Sequence, residues 1–229
     1  TEEKMLKYKY ILFDLDGTIT DSAAGITNSV AYALKKLEAP VPPYSELLKF
    51  IGPPLLPAFR EFCGFDEEKA KKAVNFYREY YPEKGIFECR LYDNIEFVLG
   101  SLSKSGAKLI LATSKPEIFA NRITEHFGLN KYFYYIAGAT LDKSRSEKSQ
   151  VITHALSACN ITDKSSAVMV GDRYHDITGA HENGIECIGV LYGFGSRVEL
   201  ENSGADYIAQ TPNDILKITT KKRAGLEES

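Results

Sequence analysis

Short apolar runs recur along the chain, and stretches with helical spacing separate the later ones. The runs are four to six residues long and rich in Ile, Val, Leu and aromatic residues, which is typical of buried strands. They are Tyr10–Asp14, Lys108–Thr113, Tyr134–Ala137, Ala167–Gly171 and Glu186–Val190. Between the later runs the apolar positions repeat every three to four residues, which predicts helices. Strands that alternate with helices favour an α/β fold with a doubly wound parallel sheet.

The interval between the first two strands contains helical patterns and no convincing strand. Its first helical face runs from Ala23 to Leu37, and either Asp21 or Ser22 can cap the start of that helix. Further helical patterns cover Ser45–Ile51, Pro54–Cys63 and Asp66–Tyr81. This block of about 65 residues is far longer than an ordinary crossover of about a dozen residues.

The length of this block divides the chain into predicted domains. We expect a Rossmann-like core formed by residues 1–20 and 88–220, and an inserted all-helical cap domain at 21–87. The charged residues at 221–229 are expected to form a flexible tail.

Composition and charge narrow the classes of partner. The 229 residues are 44% hydrophobic and carry a net charge of -3, with no basic block in the body of the chain, which disfavours a nucleic-acid polymer. No apolar run approaches the roughly 20 residues of a membrane span, and Thr1–Lys9 has no apolar signal segment, so we expect no membrane partner and a cytoplasmic location. The four cysteines lack zinc spacing and are expected to be reduced. Monomer and homodimer both stay open.

The first strand ends in an acid pair, Asp14 and Asp16, within the sequence DLDGT at 14–18. Ligands bind at the carboxyl ends of strands in open α/β sheets, and Gly17 permits a tight turn that lets both carboxylates converge. Such a pair can divide labour, because one carboxylate attacks while the other handles the proton. The alternative is a simple strand-to-turn junction, since Asp and Gly are common at turns.

Three later segments add polar groups at strand ends. Thr113 and Ser114 end the second strand, where their hydroxyl and backbone N–H groups can hold a phosphoryl oxygen or cap the next helix. Lys148 precedes a helix, where a lone lysine is often solvated. Asp172 and Asp176 follow the fourth strand at a spacing that points both the same way, although Asp172 could also be a helix cap.

The order acid pair, hydroxyl, lysine, acid pair points to one crevice. Four carboxylates there would repel one another and raise their pKa values unless a cation lay among them. Oxygen ligands without Cys or His favour Mg²⁺. The arrangement suits phosphoryl transfer from a small-molecule phosphate ester.

At this point the sequence resembles the haloacid dehalogenase superfamily of phosphohydrolases, over essentially Tyr10 to Asp214. DLDGT at 14–18, Thr113, Lys148 and GDxxxD at 171–176 match the four motifs of the superfamily in order. The helical insert is similar to the C1-type cap of its subfamily I.

The resemblance implies roles for these residues. Asp14 would be the nucleophile that forms an aspartyl-phosphate, and Asp16 would be the general acid/base. Mg²⁺ would be held by the Asp14 carboxylate, the Asp16 backbone carbonyl and Asp172, with Asp176 in support. Thr113 and Lys148 would bind the transferring phosphoryl group, together with Ser114. A dehalogenase would not need the second acid, because halide leaves without a proton, so Asp16 favours a phosphatase.

Within the superfamily the sequence is similar to the phosphoglycolate phosphatase and 5′-nucleotidase-like branch. IGPPL at 51–55, SRSEKSQVI at 144–152 and LYGFGSRVELENSGADYI at 191–208 carry that likeness. Ser149 follows Lys148 where many phosphoglycolate phosphatases have proline, so either substrate type stays open. Lys49 and Arg60, near IGPPL in the predicted cap, could meet the leaving group or could form a solvated face.

Two alternatives to a Mg²⁺-dependent phosphatase stay open. A phospho-receiver module, which binds a phosphoryl group without turnover, also places acids, a hydroxyl and a lysine at strand ends. A second acid pair and a helical insert disfavour it. A sugar-phosphate mutase similar to β-phosphoglucomutase would carry the same motifs, which do not separate it from a phosphatase.

Overall fold

The computed structural model describes residues 4–142 and 144–222. The strands in these residues are β1 (Lys4–Leu6), β2 (Tyr10–Phe13), β3 (Thr20–Asp21), β4 (Arg90–Leu91), β5 (Lys108–Pro116), β6 (Phe133–Ala139), β7 (Ala167–Gly171), β8 (Glu186–Val190), β9 (Tyr207–Ala209) and β10 (Thr220–Lys222). The α-helices are α1 (Ala23–Lys36), α2 (Tyr44–Leu47), α3 (Leu55–Cys63), α4 (Glu67–Tyr80), α5 (Ile95–Lys104), α6 (Glu117–His126), α7 (Lys148–Ala158), α8 (Tyr174–Glu182), α9 (Arg197–Asn202) and α10 (Pro212–Thr219).

The main sheet has the order β6-β5-β2-β7-β8-β9, and every neighbouring pair is parallel. The chain therefore builds the sheet outward on one side of β2, then returns and builds outward on the other side. This is the strand order of doubly wound Rossmann-like folds. The predicted α/β fold class is confirmed.

The central strands form because both of their faces are covered. Ile11, Leu12 and Phe13 of β2 are fully buried, and so is the whole of β7. Parallel strands covered by helices on both faces have continuous apolar sequences, which explains why these strands could be recognised from composition alone. Below one face, α7 and α8 pack on each other and close a core that includes Leu12 and Met169.

Several strands differ from the sequence-based assignment. β5 continues to Pro116, three residues beyond the predicted end at Thr113, and a register shift against β6 accompanies this extension. The short strand β9 and the antiparallel pair β1–β10 were not predicted, because runs of three residues carry little periodicity. The predicted tail is corrected at its start, since main-chain pairing with β1 places residues 221 and 222 in a strand. Residues 223–229 of that tail lie outside the described residues.

The chain divides into two compact units. One comprises Thr1–Thr20 with Leu91–Ser229, and the other is Asp21–Arg90, which ends three residues beyond the predicted boundary at 87. The chain passes from one unit to the other between Thr20 and Asp21 and returns between Arg90 and Leu91.

The smaller unit is built around α1, which packs against α4, while α3 also packs against α4. Asp21 Oδ1 accepts a hydrogen bond of 3.2 Å from the backbone N–H of Ala23, so Asp21 rather than Ser22 caps α1 through its side chain. Phe50 and Phe59, with ring centroids 5.0 Å apart, lie in the apolar interior of this unit. Within residues 4–142 and 144–222, no helix combines the length and apolar character needed to span a membrane.

Candidate active site

Polar groups lie at the carboxyl ends of β2, β5 and β7, the three central strands where the strand order changes direction. β2 lies between β5 and β7. From β2 the chain continues to β5 on one side, and it later returns to form β7 on the other side. Such a switch point opens a crevice at the carboxyl ends of the strands. Asp14 follows β2, Thr113 lies near the end of β5, and Asp172 follows β7. The topology therefore brings the predicted acid pairs and hydroxyl to one edge of the sheet.

The loop after β2 is a compact hydrogen-bonded turn. The N–H of Ile19 donates to the Leu15 carbonyl at 2.9 Å, and the N–H of Gly17 donates to the Thr20 carbonyl at 2.8 Å. Gly17 has a φ of +83°, and a Cβ there would lie 2.1 Å from Asp172 Oδ2. The glycine is therefore required both for the left-handed turn and for the close approach of the β7 acid.

Three carboxylates form a buried cluster. Asp14, Asp172 and Asp176 each offer one oxygen, and these oxygens lie within 4.8 Å of one another. The backbone N–H of Phe194 donates to Asp172 Oδ2 at 2.7 Å, while Asp172 Oδ1 is buried without a hydrogen-bond partner. A buried, unsatisfied carboxylate oxygen is costly in a folded protein unless something charged satisfies it. This donor set of hard oxygens fits a small divalent cation such as Mg²⁺.

The pKa values of this cluster follow from burial. Burial raises the pKa of Asp14 to about 6, and Asp176 adds to this rise, whereas Lys148 and a hydrogen bond from Thr113 oppose it. Burial also raises the pKa of Asp172 well above its ordinary value, and the neighbouring charges of Asp176 and Asp14 act in the same direction. The cluster holds more negative charge than its surroundings accommodate, and a bound cation would relieve this.

Lys148 is the first residue of α7, and its side chain is buried rather than solvated. Its Nζ lies 2.7 Å from Asp14 Oδ1 and 2.8 Å from Asp176 Oδ1, and it donates to the Ala112 carbonyl at 3.2 Å. Burial lowers the pKa of Lys148, but Asp14 and Asp176 outweigh this and raise it above the ordinary value. The ammonium group therefore stays charged and joins the two acid motifs.

Asp176 has a structural contact as well as its ion pair. It is the third residue of α8, and its Oδ2 accepts a hydrogen bond of 3.1 Å from the backbone N–H of Arg173, the N-cap residue. Asp172 precedes the N-cap residue Arg173, so Asp172 does not cap α8, although the sequence left that role open. The first turn of α8 instead fixes Asp176 beside Lys148.

Asp16 has a partner that sequence reasoning missed. Lys115 Nζ lies 2.6 Å from Asp16 Oδ2, and the Lys115 side chain is 6% exposed. The signal was present, because strand alternation carried past Thr113 puts residue 115 on the same face. Proline is common at the first position of a helix, so Pro116 favours a helix start in the sequence and makes the predicted strand end too early. The Phe194 N–H was missed for another reason, since residue type does not indicate which backbone N–H groups will donate to a site.

The remaining predicted residues are placed as follows. Thr113 is buried, and its Oγ1 accepts a hydrogen bond of 3.2 Å from the N–H of Lys115. Ser114 is exposed, so its side chain does not share the buried face of Thr113. Lys49 and Arg60 belong to the smaller unit, where both are exposed and Lys49 forms an ion pair with Glu46.

Comparison with known proteins identifies one matching family and several similar proteins. The model of the haloacid dehalogenase-like hydrolase family matches residues 11–190. A 5′-nucleotidase from Pseudomonas aeruginosa is 47% identical over 195 residues, which cover 85% of this chain and 88% of that protein. The tyrosine-protein kinase PtkA of Mycobacterium tuberculosis is 39% identical over 206 residues, with 90% and 67% covered. A crystal structure from Clostridium acetobutylicum, described as a predicted phosphatase, is 49% identical with a TM-score of 0.85, covering 92% of this chain and 97% of that one.

These matches define the class of protein. The chain belongs to the haloacid dehalogenase-like hydrolase family, and the sequence-based identification of a phosphatase of this superfamily is confirmed.

Proposed function

We propose that the chain is a Mg²⁺-dependent phosphatase that hydrolyses a small phosphomonoester through an aspartyl-phosphate on Asp14. One observation carries this proposal: Asp14, Asp172 and Asp176 converge in a buried cluster that Lys148 joins, and Asp172 Oδ1 lacks a hydrogen-bond partner. Asp14, Asp172 and the Asp16 carbonyl would hold the ion, with Asp176 in support. When bound, Mg²⁺ supplies positive charge that offsets the charge of the phosphoryl group.

The first step is attack by Asp14. A carboxylate oxygen of Asp14 forms a bond to phosphorus, the bond from phosphorus to the ester oxygen breaks, and the departing alkoxide takes a proton from Asp16. The products of this step are the free alcohol and the acyl phosphate on Asp14. The nucleophile must be ionised, and the ammonium group of Lys148 beside it favours that form.

The second step releases phosphate. The Asp16 carboxylate takes a proton from a water molecule whose oxygen attacks phosphorus, and the bond from phosphorus to Asp14 breaks. Inorganic phosphate leaves, and both carboxylates return to their starting protonation states. Thr113 and Lys148 are proposed to hold the phosphoryl oxygens in both steps, with Ser114 contributing backbone groups rather than its exposed hydroxyl.

The proposed substrate class is a nucleoside 5′-monophosphate or a molecule of similar size. The 47% identical relative is named a 5′-nucleotidase, which supports this class over phosphoglycolate. The unit Asp21–Arg90 is proposed to act as the cap that excludes bulk water during turnover. Lys49 and Arg60 stay candidates for contact with the leaving group.

The direct test is Asp14→Asn. We expect phosphate release from p-nitrophenyl phosphate in Mg²⁺ to fall by at least about a thousandfold, because the nucleophile is lost. Asp66→Asn is the matched control, since it makes the same change at a helix N-cap where Asn serves equally well. Circular dichroism should show both variants folded. Substantial Mg²⁺-dependent turnover by Asp14→Asn would contradict the proposed mechanism.

A substrate panel separates the alternatives. Nucleoside 5′-monophosphates, phosphoglycolate, sugar phosphates and pyrophosphate should release phosphate at different rates, with a nucleoside monophosphate among the best. Stoichiometric labelling of the protein without turnover would indicate a receiver module. Interconversion of glucose phosphates without net phosphate release would indicate a mutase.

A further inference from the structure

Asp16 is paired with a different lysine from the one that joins Asp14 and Asp176. Lys115 Nζ lies 2.6 Å from Asp16 Oδ2, whereas Lys148 Nζ is paired with Asp14 and Asp176. Asp16 Oδ1, in contrast, is buried without a hydrogen-bond partner. The Asp16 carboxylate is therefore anchored through one oxygen, which leaves the other available to carry a proton.

The strand that carries Lys115 is held at its end. β5 continues to Pro116, and alternation along the strand leaves Thr113 and Lys115 buried with exposed Ser114 between them. The neighbouring β6 approaches closely here, because a Cβ on Gly138 would lie 2.8 Å from the Lys115 carbonyl. The N–H of Gly138 donates to Glu117 Oε2 at 3.2 Å, which ties β6 to the start of α6. The base of the Lys115 side chain is therefore fixed by its surroundings.

The two lysines pair with different acids of this crevice. When all four acids are ionised, the two ammonium groups leave two negative charges, which one divalent cation would balance. Lys148 lies among the carboxylates of the acid cluster, while Lys115 binds the remaining acid.

We propose that Lys115 is the positioning residue for the general acid/base Asp16: it fixes one carboxylate oxygen so that the other faces the leaving group. This inference rests on the proposed function, in which Asp16 protonates the departing alkoxide. A misplaced acid matters most where protonation is needed. Alkyl esters have poor leaving groups that require a proton, whereas p-nitrophenolate leaves readily without one.

This difference gives a readout that general structural damage would not produce. The value of kcat/KM reports the steps up to transfer of the phosphoryl group to Asp14, so it isolates departure of the leaving group from later hydrolysis. Loss of folding or of phosphate binding would lower kcat/KM for both ester types equally. Loss of positioning should lower it much more for the alkyl ester.

The experiment compares Lys115→Met with wild type on glycerol phosphate and p-nitrophenyl phosphate at saturating Mg²⁺. We expect kcat/KM to fall about 10- to 100-fold for the alkyl ester and less than about threefold for the aryl ester, since a displaced group can cost about 100-fold. Lys115→Arg should recover part of the loss. Lys108→Met, the same change at the other end of β5, should leave both values near wild type.

A double-mutant comparison completes the test. If Lys115 acts through Asp16, adding Lys115→Met to Asp16→Asn should cause little further loss with the alkyl ester. Equal losses on both esters, or losses that multiply in the double variant, would overturn the proposal. If Lys115→Met does not fold, the ester selectivity of Lys115→Arg against wild type decides, and unchanged selectivity overturns it. Absence of turnover by wild type would instead contradict the proposed function itself.

Discussion

Lys148 has two carboxylate partners and almost no contact with solvent. Its side chain is 5% exposed, and it is within ion-pair distance of Asp14 and Asp176. A buried ion pair is not strongly stabilising by itself, because each charge loses its hydration. Removing one member is costly nevertheless, since the charges that remain are buried without compensation.

We therefore expect Lys148→Met to lower the free energy of unfolding of metal-free protein by about 3 kcal/mol at pH 8. At pH 5 the loss should be smaller, because Asp14, with its pKa raised to about 6, can take up a proton there. Lys131→Met is the matched control, since Lys131 forms an exposed ion pair with Glu96 and its removal should change the free energy of unfolding little. Urea unfolding measures both, and equal losses would contradict the assigned role of Lys148.

Asp172, a proposed metal ligand, has one satisfied and one unsatisfied carboxylate oxygen. One carboxylate oxygen accepts a hydrogen bond from Phe194, and the other is left without a partner in the interior. Asp172→Asn keeps the shape but removes the charge. We expect Mg²⁺ affinity, measured by calorimetry on the full chain, to fall at least about tenfold, because a neutral amide is a weak ligand for a hard cation. Unchanged affinity would place the metal elsewhere.

At the scale of elements, the loop between β8 and α9 orients the Asp172 carboxylate. It brings the Phe194 N–H to Asp172, and the Tyr192 hydroxyl donates to the Thr18 carbonyl at 3.0 Å. A Cβ on Gly193 would lie 2.3 Å from the Gly17 carbonyl and 2.4 Å from Asp172 Cβ. This loop can approach the two acid motifs only because a glycine is present.

Gly193→Ala should therefore displace the loop and weaken the hydrogen bond to Asp172. Groups that orient a metal ligand typically contribute 10- to 100-fold to affinity, so we expect a Mg²⁺ dissociation constant about tenfold higher. Gly100→Ala is the control, because it lies within α5 and its Cβ would meet only ordinary contacts with Tyr132. That control should stabilise the fold by about 0.5–1 kcal/mol without changing Mg²⁺ affinity. Equal affinities of both variants would contradict the loop's role.

β5 shows where element-level reasoning from sequence fails. Its apolar core, KLILAT, was recognised because continuous apolar residues mark a buried parallel strand. Its last residues are polar and end in proline, which favoured the start of a helix. The strand nevertheless continues to Pro116, which pairs with Ala139 beyond a register shift against β6, and such pairing depends on the neighbouring strand as well as on local sequence. Lys115 was missed as a consequence.

For the whole molecule, the acid cluster makes stability depend on both pH and metal. In the metal-free folded protein Asp14 and Asp172 keep protons that the unfolded chain releases above its ordinary pKa of 3.8. The folded state then binds more protons than the unfolded state, so the contribution of Asp14 to stability falls as pH rises from about 4 through about 6. The contribution of Asp172 falls in the same direction, because its pKa is also raised in the folded protein.

A cation that neutralises the cluster should reverse this loss. We expect Mg²⁺ to raise the Tm of the full chain clearly at pH 7.5 and only slightly at pH 5, where protons compete for the same carboxylates. Thermal unfolding with and without Mg²⁺ measures the difference at each pH. Asp172→Asn should show a much smaller difference at both values. A Tm increase that is equal at pH 5 and pH 7.5 would contradict this coupling.

The sequence by itself determined the fold class and the members of the acid cluster. Continuous apolar strands, alternating helices and acids at strand ends are local patterns, and local patterns can be recognised in the amino-acid sequence. The tertiary structure decided the partners of each carboxylate. Lys148 pairs with Asp14 and Asp176, Lys115 pairs with Asp16, and the Phe194 N–H donates to Asp172. These pairings join residues from different strand ends, and their geometry depends on strand register, on a loop with no sequence period and on close backbone approach at glycine. These features depend on tertiary packing, because packing sets the burial of each side chain and the distances between residues that are far apart in the sequence.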